Sequence, residues 1–274
     1  MAILVVLYNC KPEDSASYNN LIKKAQGCQK IEVIFWNNGP EVVSLNESLN
    51  NVAIRETLDN VSLAKIYNKF ISSVSAKKYL ILDDDTHIEN FFIDSLIDSD
   101  FECVAVPSVV VKSKVFYPII KKRSVPWVKS NVASLGEYNL DNNALFLSIG
   151  SGICINENII PNFLDEFDSV FDERFYIYGV DTSFFFRLKK LKQINVNVFN
   201  EINHSLSRLD KVEFNYFRFH ERAMENLLFF RFYPSQFSFL RAVKFFYRNR
   251  AKLDKKLGKT LLKAFFKGVH PNNE

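Results

Sequence analysis

Three consecutive aspartates, Asp83, Asp84 and Asp85, follow a short apolar run in the segment KKYLILDDDTH. The run reads as a buried strand, so the carboxylates are expected where that strand ends. Adjacent carboxylates repel each other, and burial strengthens the repulsion, unless a cation or a set of hydrogen-bond donors lies among them. The triplet therefore predicts that a positively charged ligand binds at this strand end.

Other polar strand ends accompany the triplet. AILVVLY, IEVIFW, VAIRE and YLILD are short β-rich runs, separated by polar segments long enough for helices at 17–26 and 62–74. This alternation predicts an α/β domain built on a largely parallel sheet. Ligands of such sheets bind at the carboxyl ends of the strands. The side chains expected there, besides the triplet, are Tyr8, Asn9, Asn37 and Asn38.

The segment from about 103 to 200 has a different pattern. CVAVPSVVV and ALFLSIGSGICI predict strands, the second ending near the turn Gly150-Ser151-Gly152, where small residues allow close approach of a backbone or ligand. Asp181 precedes a run with helical apolar spacing in FDERFYIYGVDTSFFFRLKKL. A helix beginning near Asp181 would make this residue an N-cap or first-turn aspartate.

Composition limits the class of protein. A chain of 274 residues, 47% hydrophobic and 24% charged, can bury a full core as one large domain with an appendage or as two small domains. No apolar run reaches the roughly 18 residues of a membrane span, and the N-terminus lacks the basic segment and cleavage site of a signal peptide. We therefore expect a cytoplasmic protein. Four widely spaced cysteines without a CxxC pair predict reduced thiols rather than a disulfide framework or a zinc site.

The basic residues are concentrated near the C-terminus. Residues 227–268 contain eleven Lys or Arg and one acid, Asp254, a charge of +10 that leaves −6 for the rest of a chain whose total is +4. A helix over 236–256 would place apolar and basic side chains on opposite sides. The apolar side would carry Phe239, Leu240, Val243, Phe246 and Tyr247, and the basic side Arg241, Lys244, Arg248, Lys252 and Lys255.

The ordered set of these segments resembles the family-two glycosyltransferases of the GT-A fold. VVLYN, VIFWNNG, NVSLAKIYN, YLILDDDT, LSIGSG and FDERFYIYGVDTSFFFRL occur in the family's order and at roughly its spacing over residues 1–210. The resemblance is greatest to the bacterial rhamnosyltransferase-like branch that builds surface polysaccharides. It implies a Rossmann-like GT-A catalytic domain over 1–210, with a nucleotide- and metal-binding half at 1–100 and an acceptor-binding half at 101–210. A basic, mostly helical extension over 211–274 would follow.

In this family an acidic DxD motif holds a divalent cation, Mn²⁺ or Mg²⁺, that neutralises the diphosphate leaving group. The resemblance implies that Asp83 and Asp85 are the outer residues of this motif, with Asp85 the preferred direct ligand. Asp84 either approaches the nucleotide ribose or faces solvent. His204, after the last core strand, either completes the metal or phosphate site or is a structural polar residue.

Asp181 matches the aspartate that the family places at a helix N-terminus beside the donor sugar. The resemblance implies that it is the base of an inverting transfer, and the alternative is a simple helix cap. The sequence departs from the branch here, because Tyr178 and Ser183-Phe184 replace acidic and Glu-Trp positions of related motifs. Arg187 either supports the site or is a salt-bridge partner.

The nucleotide is expected over the first two strands. Tyr8 and Asn9 would meet the base and ribose, and Asn37 stands where relatives have an aspartate that reads the pyrimidine N3–H. Its amide oxygen can accept the same bond, which permits a UDP- or dTDP-linked donor. Asn60 and Asn68 are either nucleotide contacts or structural caps.

The predicted enzyme is a metal-dependent inverting glycosyltransferase of O-antigen or capsule synthesis that acts on a lipid-linked saccharide. Its basic tail is predicted to hold it on the anionic inner face of the cell membrane. The tail could instead pack on its own domain or join subunits of a homo-oligomer, and no recognition motif supports nucleic-acid binding. Two alternative functions are a sugar nucleotidyltransferase, disfavoured because no glycine-rich phosphate loop is evident near the N-terminus, and a catalytically silent GT-A-like binding subunit.

Overall fold

The computed structural model describes residues 1–46, 48–122, 131–140, 144–191, 194–204 and 215–273. Within these ranges the chain alternates strands and helices. The strands are β1 (Ala2–Leu7), β2 (Glu32–Asn37), β3 (Val52–Glu56), β4 (Lys78–Asp83), β5 (Thr86–His87), β6 (Val104–Val111), β7 (Lys114–Tyr117), β8 (Ile119–Lys122), β9 (Asn131–Val132), β10 (Gly136–Asn139), β11 (Ala144–Leu147), β12 (Cys154–Asn156) and β13 (Asn195–His204). The α-helices are α1 (Tyr18–Gly27), α2 (Leu63–Ser73), α3 (Asn90–Asp98), α4 (Ile160–Phe167), α5 (Val180–Lys190), α6 (Tyr216–Phe232), α7 (Gln236–Arg248) and α8 (Lys255–Lys267).

The N-terminal half forms a parallel sheet in the order β4, β1, β2, β3. All four predicted strands and both predicted helices of this half are confirmed, with ends shifted by at most one or two residues. The residues of β1 alternate between two buried clusters, since Leu4 belongs to one and Val5 to the other. Helices cover both faces of the sheet, which explains why its strands are continuously apolar.

The sheet continues beyond β4 as β12, β6, β13 and β10. β12 runs antiparallel to both neighbours, whereas β13 is parallel to β6. The strand predicted to end near Gly150-Ser151-Gly152 is β11, which pairs with β8 in a separate sheet, and a second strand, β12, follows the turn and pairs with β4. The chain turns between them at Gly152, whose φ is +88° and where a Cβ would lie 2.4 Å from the Pro107 ring.

The C-terminal helices pack on the core beside the central sheet and on each other. The boundary predicted at 210 falls outside the described residues, and beyond it α6 contributes Leu228 and Phe229 to the same core cluster as α2 and α5. Helix α8 packs on α6 through Leu257 and Leu261. None of the described helices is both long and apolar enough to cross a membrane.

The single helix expected over 236–256 is wrong in its length. Helix α7 ends at Arg248, where the side chain of Asn249 donates to the Phe245 carbonyl, and α8 begins after Asp254, whose carboxylate accepts the Leu257 N–H. Phe246 is half-buried against the cluster that includes Leu257 and Leu261. It therefore does not lie on an exposed apolar stripe of α7. Lys252 belongs to a 3₁₀ turn and Lys255 to α8, so neither lies on α7.

Candidate active site

The aspartate triplet lies at the carboxyl end of β4, in the middle of the sheet. Asp83 is the last residue of the strand, and its backbone N–H donates to the Ser151 hydroxyl across 2.9 Å. The Ser151 oxygen also lies 2.6 Å from the Thr86 hydroxyl, and both side chains are fully buried. The turn at 150–152 therefore fixes the chain on both sides of Asp84 and Asp85.

Burial and neighbouring carboxylates raise the pKa values of Asp83 and Asp84. Burial raises the pKa of Asp83 to about 7, and the charges of Asp85, Asp84 and Asp181 add to the effect. Burial and the charge of Asp85 also raise the pKa of Asp84, although hydrogen bonds from backbone N–H groups, including that of Tyr8, oppose this. The strand end thus carries an excess of negative charge that a cation would offset.

Asp181 joins the triplet from another element. The predicted helix is confirmed as α5, and Asp181 is in its first turn, after Gly179 with a φ of +91°. Its Oδ1 accepts the backbone N–H of Thr182 at 2.6 Å and the Thr182 hydroxyl at 3.3 Å. Asp181 is therefore a first-turn residue of α5 whose side chain is still partly exposed.

Tyr67 of α2 lies close to both Asp83 and Asp181. Burial raises its pKa well above the usual value, and the charges of Asp83 and Asp181 contribute. A Cβ placed on Gly150 would be 3.8 Å from the Tyr67 hydroxyl and 3.9 Å from the Asp181 Cβ. Four elements, namely β4, α2, the 150–152 turn and α5, thus meet here. Tyr67 was not among the predicted site residues, and Ser151 was predicted only as part of the small-residue turn at 150–152, although both lie in segments that carry the family resemblance.

Tyr8 and Asn9 follow β1, beside the triplet. The Tyr8 side chain is 52% exposed, and Asn9 has a φ of +51° and donates its N–H to the Gly39 carbonyl at 2.8 Å. These residues are accessible to a ligand at the carboxyl edge of the sheet. Their predicted contacts with a nucleotide stay predictions.

Asn37 and Asn38, at the end of β2, are buried and hold neighbouring loops. The Asn37 amide donates to the Glu41 carbonyl and to Glu56, and its oxygen accepts the Gly39 N–H. The Asn38 amide donates to the Val61 carbonyl and to the side chain of Asn60, and its oxygen accepts the Val61 N–H. Contacts of either asparagine with a nucleotide stay predictions, but the structure adds a role in shaping the loops of this edge.

Neither Asn60 nor Asn68 is a helix cap. The N-cap of α2 is Ser62, whose hydroxyl accepts the Lys65 N–H. The carbonyl of Asn60 accepts the Tyr176 hydroxyl. Asn68 lies inside α2, where it donates to the Phe171 carbonyl at 2.9 Å and accepts the Phe171 N–H at 2.9 Å. The cap interpretation is thus wrong for both, and nucleotide contact is untested.

His204 ends β13 in register with Thr86, one residue beyond the triplet. Its side chain lies outside the described residues. Among the side chains that are described, no three His, Cys, Asp or Glu residues are grouped so as to enclose a metal ion by themselves. A cation held by Asp83 and Asp85 would therefore take further ligands from a bound diphosphate or from water, as Mg²⁺ and Mn²⁺ commonly do.

Arg187 is a salt-bridge partner in the core. It is 4% exposed, and its guanidinium lies 3.4 Å from Asp172 and donates to the Ser169 carbonyl at 2.9 Å. Asp172 also accepts the Tyr233 hydroxyl at 2.6 Å. This network links α5 to the residue that follows α6.

The fold is similar to that of solved structures of TarS from S. aureus. The structure of TarS 1–349 superposes with a TM-score of 0.51 at 12% sequence identity, covering 98% of this chain and 80% of that one. A longer TarS structure gives 0.52 at 14% identity, covering 99% and 49%, and TarS 1–349 in complex with UDP gives 0.50 at 15% identity, covering 98% and 80%. No protein-family model matches the sequence, and neither does any curated protein sequence. The predicted fold class, an α/β domain consistent with the GT-A fold, is confirmed.

Proposed function

We propose that this protein is an inverting glycosyltransferase that moves a sugar from a nucleotide-diphosphate donor to a saccharide acceptor. The observation that carries the proposal is the convergence of Asp181 with the triplet Asp83 to Asp85 at the carboxyl end of β4. The triplet can hold the cation of a diphosphate, and Asp181 can take a proton from the attacking hydroxyl.

The fold supports a nucleotide-sugar donor. One of the solved structures of TarS is a complex with UDP. We propose by analogy a UDP- or dTDP-linked donor and a role in cell-surface polysaccharide synthesis. Tyr8 and Asn9 would contact the nucleoside, because both are exposed beside the triplet.

Asp83 and Asp85 would hold Mn²⁺ or Mg²⁺, with His204 as a candidate third ligand. The fit rests on the excess of carboxylate charge at the strand end and on the preference of these ions for oxygen ligands. When bound, such an ion stabilises the negative charge that develops on the departing nucleotide diphosphate.

Asp181 would remove the proton of the acceptor hydroxyl. Thr182 holds its Oδ1 through two hydrogen bonds, which orients the carboxylate. A base that acts on the face opposite the leaving nucleotide gives a product with inverted anomeric configuration. Ser183 and Phe184, where the sequence departs from the related motifs, are fully buried, and these departures and the one at Tyr178 leave the proposed chemistry unchanged.

We further propose that the enzyme works at the inner face of the cell membrane on a lipid-linked acceptor. Exposed apolar side chains on α7 and α8 lie among the basic residues of the tail, including Tyr247 at 68% and Phe266 at 76% exposure. A basic surface with exposed aromatic residues favours an anionic lipid surface.

A donor screen tests the proposed activity. Purified protein is titrated with UDP- and dTDP-linked sugars in the presence of Mn²⁺, and binding is measured by calorimetry. Metal-dependent binding of at least one nucleotide sugar is expected, together with its slow hydrolysis when no acceptor is present. Failure of every UDP and dTDP compound to bind, with Mn²⁺ or without it, would exclude this class of donor.

A further inference from the structure

A tyrosine hydroxyl without a partner lies at the candidate active site. The Tyr67 side chain is 2% exposed, yet within the described part of the chain its hydroxyl makes no hydrogen bond. The hydroxyl is not one of the polar atoms that the fold seals off from solvent. Nearly all buried polar groups in proteins are paired, so an unpaired hydroxyl in such a place requires an explanation. A bound ligand can supply the missing partner.

The ring of Tyr67 is held in place by its neighbours. It packs edge-on against Phe171, with the ring centroids 5.0 Å apart, and Phe171 is fully buried. Asn68, the next residue of α2, holds the backbone of Phe171, because its side chain bonds both the N–H and the carbonyl at 2.9 Å. Helix α2 and the segment before α5 therefore fix the position of the Tyr67 hydroxyl, and a ligand would meet it already oriented.

Gly150 leaves a space in front of this hydroxyl. A Cβ at position 150 would lie 3.8 Å from the Tyr67 hydroxyl and 3.9 Å from the Asp181 Cβ. Apart from the neighbours of Gly150 in the chain, no other group of the described residues comes within 4 Å of that point. The space is therefore bordered both by an unpaired hydroxyl and by the residue proposed as the base.

The same space adjoins the aspartate triplet. Ser151, the residue after Gly150, accepts the Asp83 N–H at 2.9 Å, and the Gly152 N–H donates to the Ile81 carbonyl at 2.7 Å. These two bonds hold position 150 beside the carboxyl end of β4. In an in-line transfer the attacked carbon lies between the leaving diphosphate and the attacking hydroxyl. The transferred sugar is therefore expected between the proposed metal site and Asp181, at this space.

We propose that the Tyr67 hydroxyl donates a hydrogen bond to an oxygen of the sugar being transferred, and that Gly150 provides the room that this sugar needs. The inference deepens the proposed function and rests on it. A tyrosine hydroxyl is neutral at pH 7, so it can bind a sugar oxygen without adding negative charge beside the triplet. Tyr67 and Gly150 would thus recognise the sugar, whereas other residues bind the nucleotide and its diphosphate.

The test compares each nucleotide sugar with its own nucleotide, so that contacts with the sugar are measured separately. UDP-glucose, UDP-N-acetylglucosamine and dTDP-rhamnose are titrated into the full chain in Mn²⁺, beside UDP and dTDP, and dissociation constants are measured by calorimetry. In Tyr67→Phe the ratio of the dissociation constant of the nucleotide sugar to that of its nucleotide should rise about three- to tenfold, as expected for one lost hydrogen bond. The dissociation constants of UDP and dTDP should change by less than about twofold.

Gly150→Ala tests the space itself. The added methyl group makes only ordinary contacts with the protein, and Gly150 has no left-handed backbone, so the fold should be retained. Because the methyl group occupies the room assigned to the sugar, the same ratio should rise at least about tenfold while UDP binds as before. The matched control is Gly27→Ala, at the exposed end of α1, where a Cβ has nothing within 4 Å. It should leave the ratio unchanged.

Tyr79→Phe separates a ligand contact from a structural one. The Tyr79 hydroxyl donates to the Val74 carbonyl at 2.8 Å and accepts the Ala76 N–H at 3.2 Å. Its removal should lower the urea midpoint of unfolding and leave the ratio of dissociation constants unchanged. Tyr67→Phe should do the reverse, because its hydroxyl has no partner among the described residues.

The outcomes keep this inference apart from the proposed function. An unchanged ratio in Tyr67→Phe would overturn the hydrogen bond to the sugar, and an unchanged ratio in Gly150→Ala would overturn the assigned space. Equal weakening of UDP and of the UDP-sugars in Tyr67→Phe would place the hydroxyl against the diphosphate and overturn the sugar contact as well. If the unaltered protein binds none of these nucleotides or nucleotide sugars, the proposed function itself fails, which is distinct from a nucleotide sugar that binds both forms equally.

Discussion

The backbone N–H of Asp83 donates a hydrogen bond to the Ser151 hydroxyl across 2.9 Å. This contact joins the carboxyl end of β4 to the turn that separates β11 from β12, 68 residues away in the chain. The orientation of the aspartate triplet thus depends on a residue from the second half of the protein.

Ser151→Ala is expected to loosen the triplet. The change removes the acceptor of the Asp83 N–H and one partner of the buried Thr86 hydroxyl. Leaving the Asp83 N–H without its acceptor costs about 1–3 kcal/mol, so the free energy of unfolding should fall by that amount. Mn²⁺-assisted UDP binding should weaken as well. Urea unfolding and calorimetry measure the two effects, and Ser72→Ala, which removes a hydroxyl that donates to the Lys69 carbonyl within its own helix, is the control.

Asp85→Ala tests the proposed metal site. If Asp85 is a direct ligand, the variant should lose more than about 100-fold in metal-dependent UDP affinity and in turnover, because a lost ligand costs more than a lost outer-shell partner. The fold should be retained, since Asp85 is exposed. Circular dichroism and calorimetry with and without Mn²⁺ measure both properties, with the exposed Asp100→Ala as the matched control. Full activity of the unaltered enzyme in EDTA would rule out the metal.

Local sequence patterns predicted the elements of the site well. The ends of β1, β2 and β4 follow from apolar runs that stop at polar residues, and the start of α5 follows from an aspartate before helical spacing. These signals are local, because strand period and helix capping depend on a few adjacent residues.

Contacts between distant residues could not be predicted in the same way. Ser151 and Tyr67 reach the site through the packing of separate elements, and no spacing in the sequence encodes that contact. The glycines of ALFLSIGSGICI predict a turn, but they do not indicate that the residues before and after it pair with different sheets. The hydrogen bonds of Asn38 and Asn68 to backbone groups likewise depend on loops that only the fold brings near.

Asp181→Asn tests the proposed base. The amide oxygen can still accept the two hydrogen bonds from Thr182, so the helix start should be preserved. An amide cannot take up the acceptor proton, and kcat should fall by about 10²–10⁴-fold while donor binding is unchanged. Initial rates and calorimetry separate the two, and NMR of the product reports its anomeric configuration. Retention of the donor's configuration would contradict an inverting mechanism.

Asp172→Asn is expected to destabilise the protein in a pH-dependent manner. Burial opposes ionisation of Asp172, but hydrogen bonds from Arg174 and the charge of Arg187 outweigh it and hold the pKa of Asp172 below its ordinary value of 3.8. A depressed folded-state pKa contributes stability that is present above 3.8 and is lost as the pH falls through the folded value. At pH 7 the free energy of unfolding of the variant should be roughly 3 kcal/mol lower than that of the unaltered protein. The reason is that the substitution leaves buried guanidinium charge poorly compensated.

The difference between the unaltered protein and Asp172→Asn should shrink as the pH falls below 3.8, where protonation of Asp172 has the same effect as the substitution. Urea unfolding at a series of pH values measures it. Asp168→Asn, in a nearby exposed turn, controls for the loss of one carboxylate. A difference that is constant with pH would show that the stability of the network does not depend on the ionisation of Asp172.

The exposed aromatic residues of the tail are expected to contact the membrane. Phe239, Tyr247 and Phe266 are 52%, 68% and 76% exposed on α7 and α8, among eleven basic residues at 227–268. Each basic residue near an anionic surface contributes about 1 kcal/mol, and salt screens this share but leaves the apolar share. The protein should therefore sediment with vesicles that contain anionic lipid and be released only in part by rising salt. Replacing the three aromatic residues by serine should abolish the salt-resistant fraction, whereas Phe91→Ser, which removes a 57% exposed phenylalanine from α3, should leave it intact.

Equal sedimentation with neutral and anionic vesicles would argue against an electrostatic anchor. A triple variant that changes from dimer to monomer in gel filtration, with vesicle binding unaltered, would assign this surface to contacts between subunits.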